Sequence, residues 1–325
     1  MRTIIDIGSR FIKVIIADGN QILGKYIHTS EGIKNGLIND SERLSESIFE
    51  CIENASKDLL ENYSITFNDT LKNIYVTTSI GHCTVDNTIE YTNLSDNPTL
   101  QLASKNEEEI QIWIEKYIIG DLYIDNPIVI NKEIKHHKVY IKMQVEAQAI
   151  LKNIFQQNNA NLKHIIFNNC KNIMDHSEIR IDIGYCSTRV FSHNNIQIIP
   201  MGLYNLTKEI SNSYRIPLRQ TEKILQISNR NNDFPNSAQI TKTCQKFVID
   251  LFTKIINQQS HINDNTYFVL QGGINYIPFI SDFIESKFGI RTYQYKTYQY
   301  DHINNINAYI NCLTTLAKLE GTEII

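Results

Sequence analysis

Two short stretches decide the fold: Ile4-Ile5-Asp6-Ile7-Gly8-Ser9 near the start of the chain, and Ile181-Asp182-Ile183-Gly184 in its second half. Each reads as an apolar strand that ends in a turn containing glycine. Each is followed by two further strand-like runs and then by a helix, so the same arrangement opens both halves. The repeat predicts one α/β chain of two similar lobes with a phosphate-binding type of cleft between them.

The first half is predicted to hold a meander of strands at 4–7, 11–17 and 21–27. Asp40-Ser41 then caps a long helix, because the apolar residues that follow recur every three or four positions. These residues are Leu44, Ile48, Cys51, Ile52 and Leu59.

Residues 74–152 read as a separate α+β insert. The run 107–118 has an apolar stripe at helical spacing and predicts an amphipathic helix. Strict alternation over 139–145 predicts a half-buried strand. His136-His137 lies before that strand, and we interpret it as a solvated hairpin turn and not as a metal site.

The second half repeats the meander and adds a buried strand that ends in Gln271-Gly272-Gly273. A helix is predicted from about Asn275 to Lys287, a closing helix over 304–318 and a flexible polar stretch over 228–237. The domain boundaries predicted in this way are 1–73 for the first lobe, 74–152 for the insert and 153–325 for the second lobe, whose smaller part is reduced to about 203–263.

The composition excludes several classes of function. The 325 residues carry a net charge of −4 with scattered lysines and arginines, so we expect no nucleic-acid partner. The six cysteines are far apart and show no zinc spacing, which favours reduced thiols in a cytosolic protein. No signal-peptide pattern and no membrane-length apolar run is evident.

The glycines point to a phosphate site, because a residue without Cβ lets backbone N–H groups approach a phosphate closely. There are only 13 glycines, and five of them follow predicted strands. These five are Gly8, Gly184, Gly202, Gly272 and Gly273. Asp6 and Asp182 at the two facing turns could hold Mg²⁺ through water.

Three motifs resemble those of the actin/Hsp70/sugar-kinase superfamily. Asp6–Lys13 resembles its first phosphate motif, Asp182–Ser187 its second, and Val269–Pro278 its adenosine motif. Within the superfamily the chain is most similar to the bacterial cell-division protein family FtsA, on the further stretches Gly36–Asp40, Pro200–Ile210 and Thr221–Ile224.

The resemblance implies a two-lobed actin-like (ribonuclease H-like) ATPase fold, with an insert equivalent to the family's 1C/SHS2 subdomain. It implies ATP and Mg²⁺ as ligands, self-assembly into filaments, and the tubulin-like division protein FtsZ as partner in the bacterial cytoplasm at the division site. The nucleotide-binding positions it implies are Asp6, Gly8, Ser9, Arg10, Lys13, Asp182, Gly184, Ser187, Gly202, Glu222, Gly272 and Gly273.

Several positions depart from the family pattern. Tyr185 and Cys186 replace glycines of the second phosphate motif, and Arg189 replaces an acid, so hydrolysis of ATP is expected to be weak or absent. Phe11 stands at the family's lysine position, and Lys13, two residues on, shares its strand face. Leu225 also replaces a lysine. The family's C-terminal membrane helix is not found, so membrane attachment is expected only through another protein.

Three alternatives stay open. One is another actin-like assembly factor of the type IV pilus PilM kind. The second is a sugar- or acetate-kinase type of phosphotransferase, which Tyr185 and Arg189 disfavour because a kinase needs a base and an open phosphate loop. The third is a scaffold whose cleft binds no nucleotide.

Overall fold

The computed structural model describes residues 1–78, 83–93, 110–119, 122–124, 133–167, 177–192, 195–227, 237–259, 262–277 and 279–294, together with Tyr309, Cys312, Leu313, Thr315 and Leu316. The strands are β1 (Arg2–Ile7), β2 (Phe11–Asp18), β3 (Gln21–Thr29), β4 (Ile33–Lys34), β5 (Leu37–Ile38), β6 (Ile74–Thr78), β7 (Cys83–Asn93), β8 (Ile110–Ile119), β9 (Leu122–Ile124), β10 (Glu133–Met143), β11 (Leu162–Phe167), β12 (Glu178–Ile183), β13 (Thr188–Ser192), β14 (Asn195–Ile199), β15 (Tyr267–Gly272) and β16 (Arg291–Gln294). The helices are α1 (Ser41–Ser56), α2 (Leu59–Tyr63), α3 (Phe67–Thr70), α4 (Val145–Gln157), α5 (Leu203–Tyr214), α6 (Leu218–Ile227), α7 (Ser237–Gln258) and α8 (Ile280–Phe288), with a 3₁₀ turn over Gly273–Tyr276.

Two five-stranded sheets share one topology, which confirms the internal repeat. The first has the order β3-β2-β1-β6-β11 and the second the order β14-β13-β12-β15-β16. In each, three antiparallel strands form a meander and two parallel strands extend it beyond the first strand of the meander. The ends of β1 and β12 are therefore equivalent positions in the two lobes.

Each sheet is covered by helices that bury apolar side chains. Leu44, Ile48 and Ile52 of α1 lie in one core with the strand residues Ile5 and Ile7. The predicted cap of this helix is confirmed, since the Asp40 carboxylate accepts from Arg43 N–H at 3.1 Å. The second core is built around β12 and α7, which contributes Phe247, Val248, Leu251 and Phe252.

Two groups of residues from the second half of the chain pack against the first sheet. Phe191 and Ile196 of the second sheet pack into the first core, so the lobes share an apolar contact. Cys312, Leu313 and Leu316 cover the opposite face of the first sheet, around Ile4 and Ile15. The predicted closing helix over 304–318 and the polar stretch over 228–237 otherwise lie outside the described residues.

The third sheet has the order β7-β10-β8-β9 and lies within the predicted insert, whose exact boundaries stay a prediction. The helix predicted over 107–118 is wrong, because Ile110–Ile119 forms β8 and pairs with β10. Ile and aromatic residues are good strand formers, and this stretch also alternates at period two over Ile110, Ile112 and Ile114, so strand pairing prevails over the helical spacing.

Three smaller predictions are also corrected. His136-His137 is not a turn, because both residues lie inside β10 opposite Glu90 and Ile89. The strand expected over 139–145 ends at Met143, where α4 follows. The helix expected from Asn275 is divided into the 3₁₀ turn and α8, consistent with Pro278 between them, since a proline disfavours helical backbone in the residue before it.

Candidate functional site

The two hairpin tips that carry the repeated glycines have the same backbone geometry. Gly8 N–H donates to Phe11 O at 3.1 Å, and Gly184 N–H donates to Ser187 O at 3.0 Å. Each bond closes the turn between the first two strands of its sheet. The structure therefore places Gly8 and Gly184 at equivalent loop tips, as the sequence repeat predicts.

Asp6 lies at the end of β1 and is only 1% exposed. Lys13 stands directly opposite on β2, and its Nζ is 2.8 Å from Asp6 Oδ2. Burial alone would lower the pKa of Lys13, but the charge and hydrogen bond of Asp6, with smaller contributions from Cys312 and Asp182, raise it above its ordinary value. Lys13 therefore stays a cation inside the site.

Asp182 is the penultimate residue of β12 and has an equivalent partner. Arg189 stands directly opposite on β13, and its Nη1 is 3.9 Å from Asp182 Oδ2. Gly272, next to Asp182 at the end of β15, has φ +84°, and a Cβ there would lie 2.5 Å from Asp182 Oδ1. Position 272 therefore requires glycine, because any side chain there would clash with the Asp182 carboxylate.

The loop at the tip of the second hairpin, residues 184–187, is hydrogen-bonded to the start of α5. Leu203 N–H donates to Gly184 O at 3.0 Å, and Tyr204 N–H donates to Tyr185 O at 2.7 Å. A Cβ on Gly202 would lie 2.5 Å from Tyr185 O, so loop and helix approach each other as closely as backbones allow. Two N-terminal amides of α5 that could bind an anion are therefore used by the loop carbonyls.

Three side chains connect the lobes across the cleft. Arg10 Nη2 of the first loop is 2.5 Å from Glu222 Oε2 on α6. Tyr185 OH of the second loop donates to Glu222 Oε1 at 2.9 Å. The Arg10 guanidinium carbon also lies 5.7 Å from the centre of the Tyr185 ring, within the range of a cation–π contact.

A further contact joins the two loop tips. The Cys186 thiol is hydrogen-bonded to the side chain of Ser9. Burial raises the pKa of Cys186, and the Ser9 hydrogen bond opposes this only in part. The Ser9 and Cys186 side chains, one from each loop tip, therefore lie within hydrogen-bonding reach of each other.

The structure brings the residues singled out in the sequence to the facing ends of the two sheets. Asp6, Gly8, Ser9, Arg10 and Lys13 lie on the β1–β2 hairpin; Asp182, Gly184 and Ser187 lie on β12 or the turn after it; Gly202, Glu222, Gly272 and Gly273 lie on α5, α6 and the end of β15. Their part in nucleotide binding stays a prediction. Sequence reasoning missed Tyr185 as a partner of Glu222, and Arg189 as the counterpart of Lys13, although the equal spacing of Asp6–Lys13 and Asp182–Arg189 was a usable signal.

The residues fit a polyphosphate better than a protein-held metal. Two turns that carry glycine, with Lys13 and Arg10 beside one of them, suit a chain of anionic oxygens. Each of Asp6 and Asp182 already faces a cation. Among the side chains that the structure describes, no group of three or more His, Cys, Asp and Glu could hold a metal ion, so Mg²⁺ would have to share oxygens with the phosphate and water.

No protein-family model and no curated protein matches the sequence. Solved structures do match it. A PilM–PilN type IV pilus biogenesis complex aligns with TM-score 0.68 at 11% identity over 98% of both chains. The ethanolamine utilization protein EutJ from Carboxydothermus hydrogenoformans aligns with TM-score 0.56 at 12% identity over 90% of this chain and 83% of EutJ.

MreB 5 of Spiroplasma citri bound to AMPPNP aligns with TM-score 0.55 at 11% identity over 98% of this chain and 95% of MreB 5. Among the helices that the structure describes, none combines the length and the hydropathy of a membrane-spanning segment. The duplicated sheets, the two glycine turns at their facing ends and these alignments together show that the chain has the two-lobed actin-like (ribonuclease H-like) ATPase fold.

Proposed function

We propose that the protein is an actin-like assembly factor, a nucleotide-binding scaffold that acts through contacts with other protein subunits and not through phosphoryl transfer. One observation carries the proposal: each aspartate at the loop ends faces a cation on the neighbouring strand, Asp6 with Lys13 and Asp182 with Arg189. Each carboxylate is already engaged by the cation opposite it, so neither is placed to take a proton from a substrate hydroxyl.

Tyr185 gives a second reason to disfavour phosphoryl transfer. Its ring lies against Arg10 and its hydroxyl donates to Glu222, at the loop that a kinase keeps open for the transferred phosphoryl group. The same loop contacts Ser9 of the first lobe through Cys186. Because these side chains fill the space that a transferred phosphoryl group would need, the arrangement favours a protein that responds to its ligand by a conformational change over one that catalyses turnover.

ATP is the nucleotide we propose, with Mg²⁺ as its counterion. The turns at Gly8 and Gly184, with Ser9 and Ser187 beside them, would hold the phosphates together with Lys13. Gly272-Gly273 would face the adenosine. When bound, the polyphosphate would supply a row of negative charge between the lobes, and these residues would orient it.

Two partners are consistent with such a scaffold. The motifs Gly36–Asp40 and Pro200–Ile210 favour an FtsA-like role in cell division, in which the chain self-assembles and recruits FtsZ at the cytoplasmic face of the membrane. The alignment with PilM over 98% of both chains favours a pilus assembly role with a PilN-like partner instead.

The test combines binding, turnover and assembly. We expect ATP with Mg²⁺ to bind in titration calorimetry, to bind much more weakly to Asp6→Ala, and to be hydrolysed slowly or not at all. Thermal melting of the variant controls for its folding. Sedimentation with nucleotide should show self-assembly, and pull-down with purified FtsZ and PilN of the same organism should select one partner. Rapid phosphoryl transfer to a sugar or carboxylate acceptor would contradict the proposal.

A further inference from the structure

We infer that Arg10, Tyr185 and Glu222 form a latch that holds the two lobes together, and that a polyphosphate opens it by taking Arg10 away from Glu222. The latch itself stands on the contacts between these three side chains. Its opening rests on the nucleotide binding proposed above.

The latch joins three separate elements of the chain. Arg10 follows β1 in the first lobe, Tyr185 follows β12 in the second, and Glu222 lies on α6. Both Glu222 oxygens are engaged, one by Arg10 Nη2 at 2.5 Å and one by Tyr185 OH at 2.9 Å. Each phosphate loop thus places one donor on the same carboxylate.

The surroundings strengthen these contacts. The side chains of Arg10 and Glu222 are only 26% and 18% exposed, so the ion pair is screened less than one on the surface. The guanidinium lies near the rings of Phe11 and Tyr185, with centroid distances of 5.3 and 5.7 Å. Burial, followed by the hydrogen bond and the charge of Glu222, raises the pKa of Tyr185, so its hydroxyl keeps the proton that it donates.

Arg10 is also positioned to exchange the Glu222 carboxylate for another anionic acceptor. Its Nε is buried and has no hydrogen-bond partner among the atoms that the structure describes, so the guanidinium is incompletely satisfied in the latch and gains hydrogen bonds by moving to a further acceptor. A guanidinium binds phosphate with the same planar geometry with which it binds carboxylate. A polyphosphate at the Gly8 turn, two residues away, therefore competes with Glu222 for the same cation.

Loss of Arg10 also weakens the remaining contact. Glu222 would keep the Tyr185 hydroxyl alone, and Tyr185 would lose the cation over its ring. Helix α6 would then no longer be tied to the first lobe through this carboxylate. Binding of the charged ligand would in this way loosen the contact between the two lobes, and the ligand would not need to be hydrolysed.

The first experiment measures amide hydrogen exchange of α6 and of the loop 184–187 in the unliganded full chain. Glu222→Gln keeps the size of the side chain and removes its charge, and we expect exchange in α6 to rise roughly fivefold or more. Tyr185→Phe should give a smaller rise. Lys223→Gln changes an exposed charge on the same helix and should leave the exchange unaltered. The charge swap of Arg10→Glu with Glu222→Arg should restore protection, and unaltered exchange in Glu222→Gln would overturn the latch.

The second experiment titrates tripolyphosphate, which has no ribose or base. Glu222→Gln removes the internal competitor, so we expect it to bind tripolyphosphate on the order of tenfold more tightly than the wild type. Glu209→Gln removes a carboxylate that pairs with Lys246 on the surface of the same lobe and should keep wild-type affinity. Equal affinities in Glu222→Gln and wild type, or no binding by any variant, would overturn the opening step. If hydrogen exchange and tripolyphosphate binding both change as expected but the protein neither self-assembles nor binds a partner, the scaffold role is refuted and the latch stands.

Discussion

Lys13 and Arg189 occupy equivalent positions in the two lobes, each directly opposite the aspartate near the end of the first strand of its meander. The two pairs differ in how tightly they are made. Lys13 Nζ lies 2.8 Å from Asp6, whereas Arg189 Nη1 lies 3.9 Å from Asp182. The first pair is therefore a close charge-assisted hydrogen bond, and the second pair is a looser electrostatic contact.

Lys13→Met should be strongly destabilising, because it leaves the buried Asp6 carboxylate without its cation. Breaking one side of a buried ion pair costs about 3–5 kcal/mol in the free energy of unfolding. Urea unfolding followed by circular dichroism measures it. The double variant Asp6→Asn with Lys13→Met should be less destabilised than Lys13→Met alone, and additive losses would show that the two side chains are not coupled.

Gly202→Ala should destabilise the second lobe, because the new Cβ would lie within 2.7 Å of three backbone atoms of the loop 184–187. Such overpacking costs about 1–3 kcal/mol, and backbone neighbours place it near the upper end. Gly19→Ala is the control: it has open space and only a left-handed φ of +53°, with an expected cost of about 1–2 kcal/mol. Thermal unfolding of both variants gives the comparison, and equal stability of Gly202→Ala and wild type would show that the loop can move away from α5.

The free energy of unfolding should fall as the pH rises above about 9. Burial raises the pKa of the Cys51 and Cys244 thiols from the ordinary 9.0 to about 12. The unfolded chain releases these protons first, so the thiols contribute stability that is fully present below pH 9.0 and is lost as the pH rises towards 12. Each thiol contributes a slope of at most about 1.4 kcal/mol per pH unit in that window.

The Cys51→Ala/Cys244→Ala variant tests the origin of this alkaline slope. Its free energy of unfolding should be lower than that of the wild type at neutral pH, because buried atoms are removed, but should depend less on pH between 9 and 11. Denaturant titrations at several pH values measure both quantities. An unaltered slope in the variant would assign the alkaline loss to other groups.

Among the four cysteines whose side-chain burial the structure describes, Cys186 should react first with iodoacetamide. It is half-buried at the loop tip, whereas Cys51, Cys244 and Cys312 are buried. The thiolate is the reactive form, and burial raises the pKa of all four thiols, so overall labelling at neutral pH should be slow and exposure should decide the order. Mass spectrometry of tryptic peptides should show Cys186 modified roughly tenfold faster than the other three, and faster labelling of Cys312 would contradict the packing on the first sheet.

The sequence by itself determined the duplicated framework. Strand, glycine turn and capped helix are local patterns, and their recurrence at Asp6 and Asp182 is visible without any structure. Period-two and helical spacings can coincide in a short apolar run, which is why the sequence predicts a helix over 107–118 where the structure has the strand Ile110–Ile119. The deciding factor there was pairing with β10, a contact between residues distant in sequence.

Only the tertiary structure decided how the candidate site is closed. The sequence predicts Arg10 and Glu222 separately as ligand positions and marks Tyr185 as an unusual residue in a loop, but Arg10 is 212 positions away from Glu222. Their contact depends on how two sheets and α6 are packed together. Local patterns specify the backbone of each loop because turns and caps are short-range, whereas the partner of a charged side chain is specified by the packing of whole lobes.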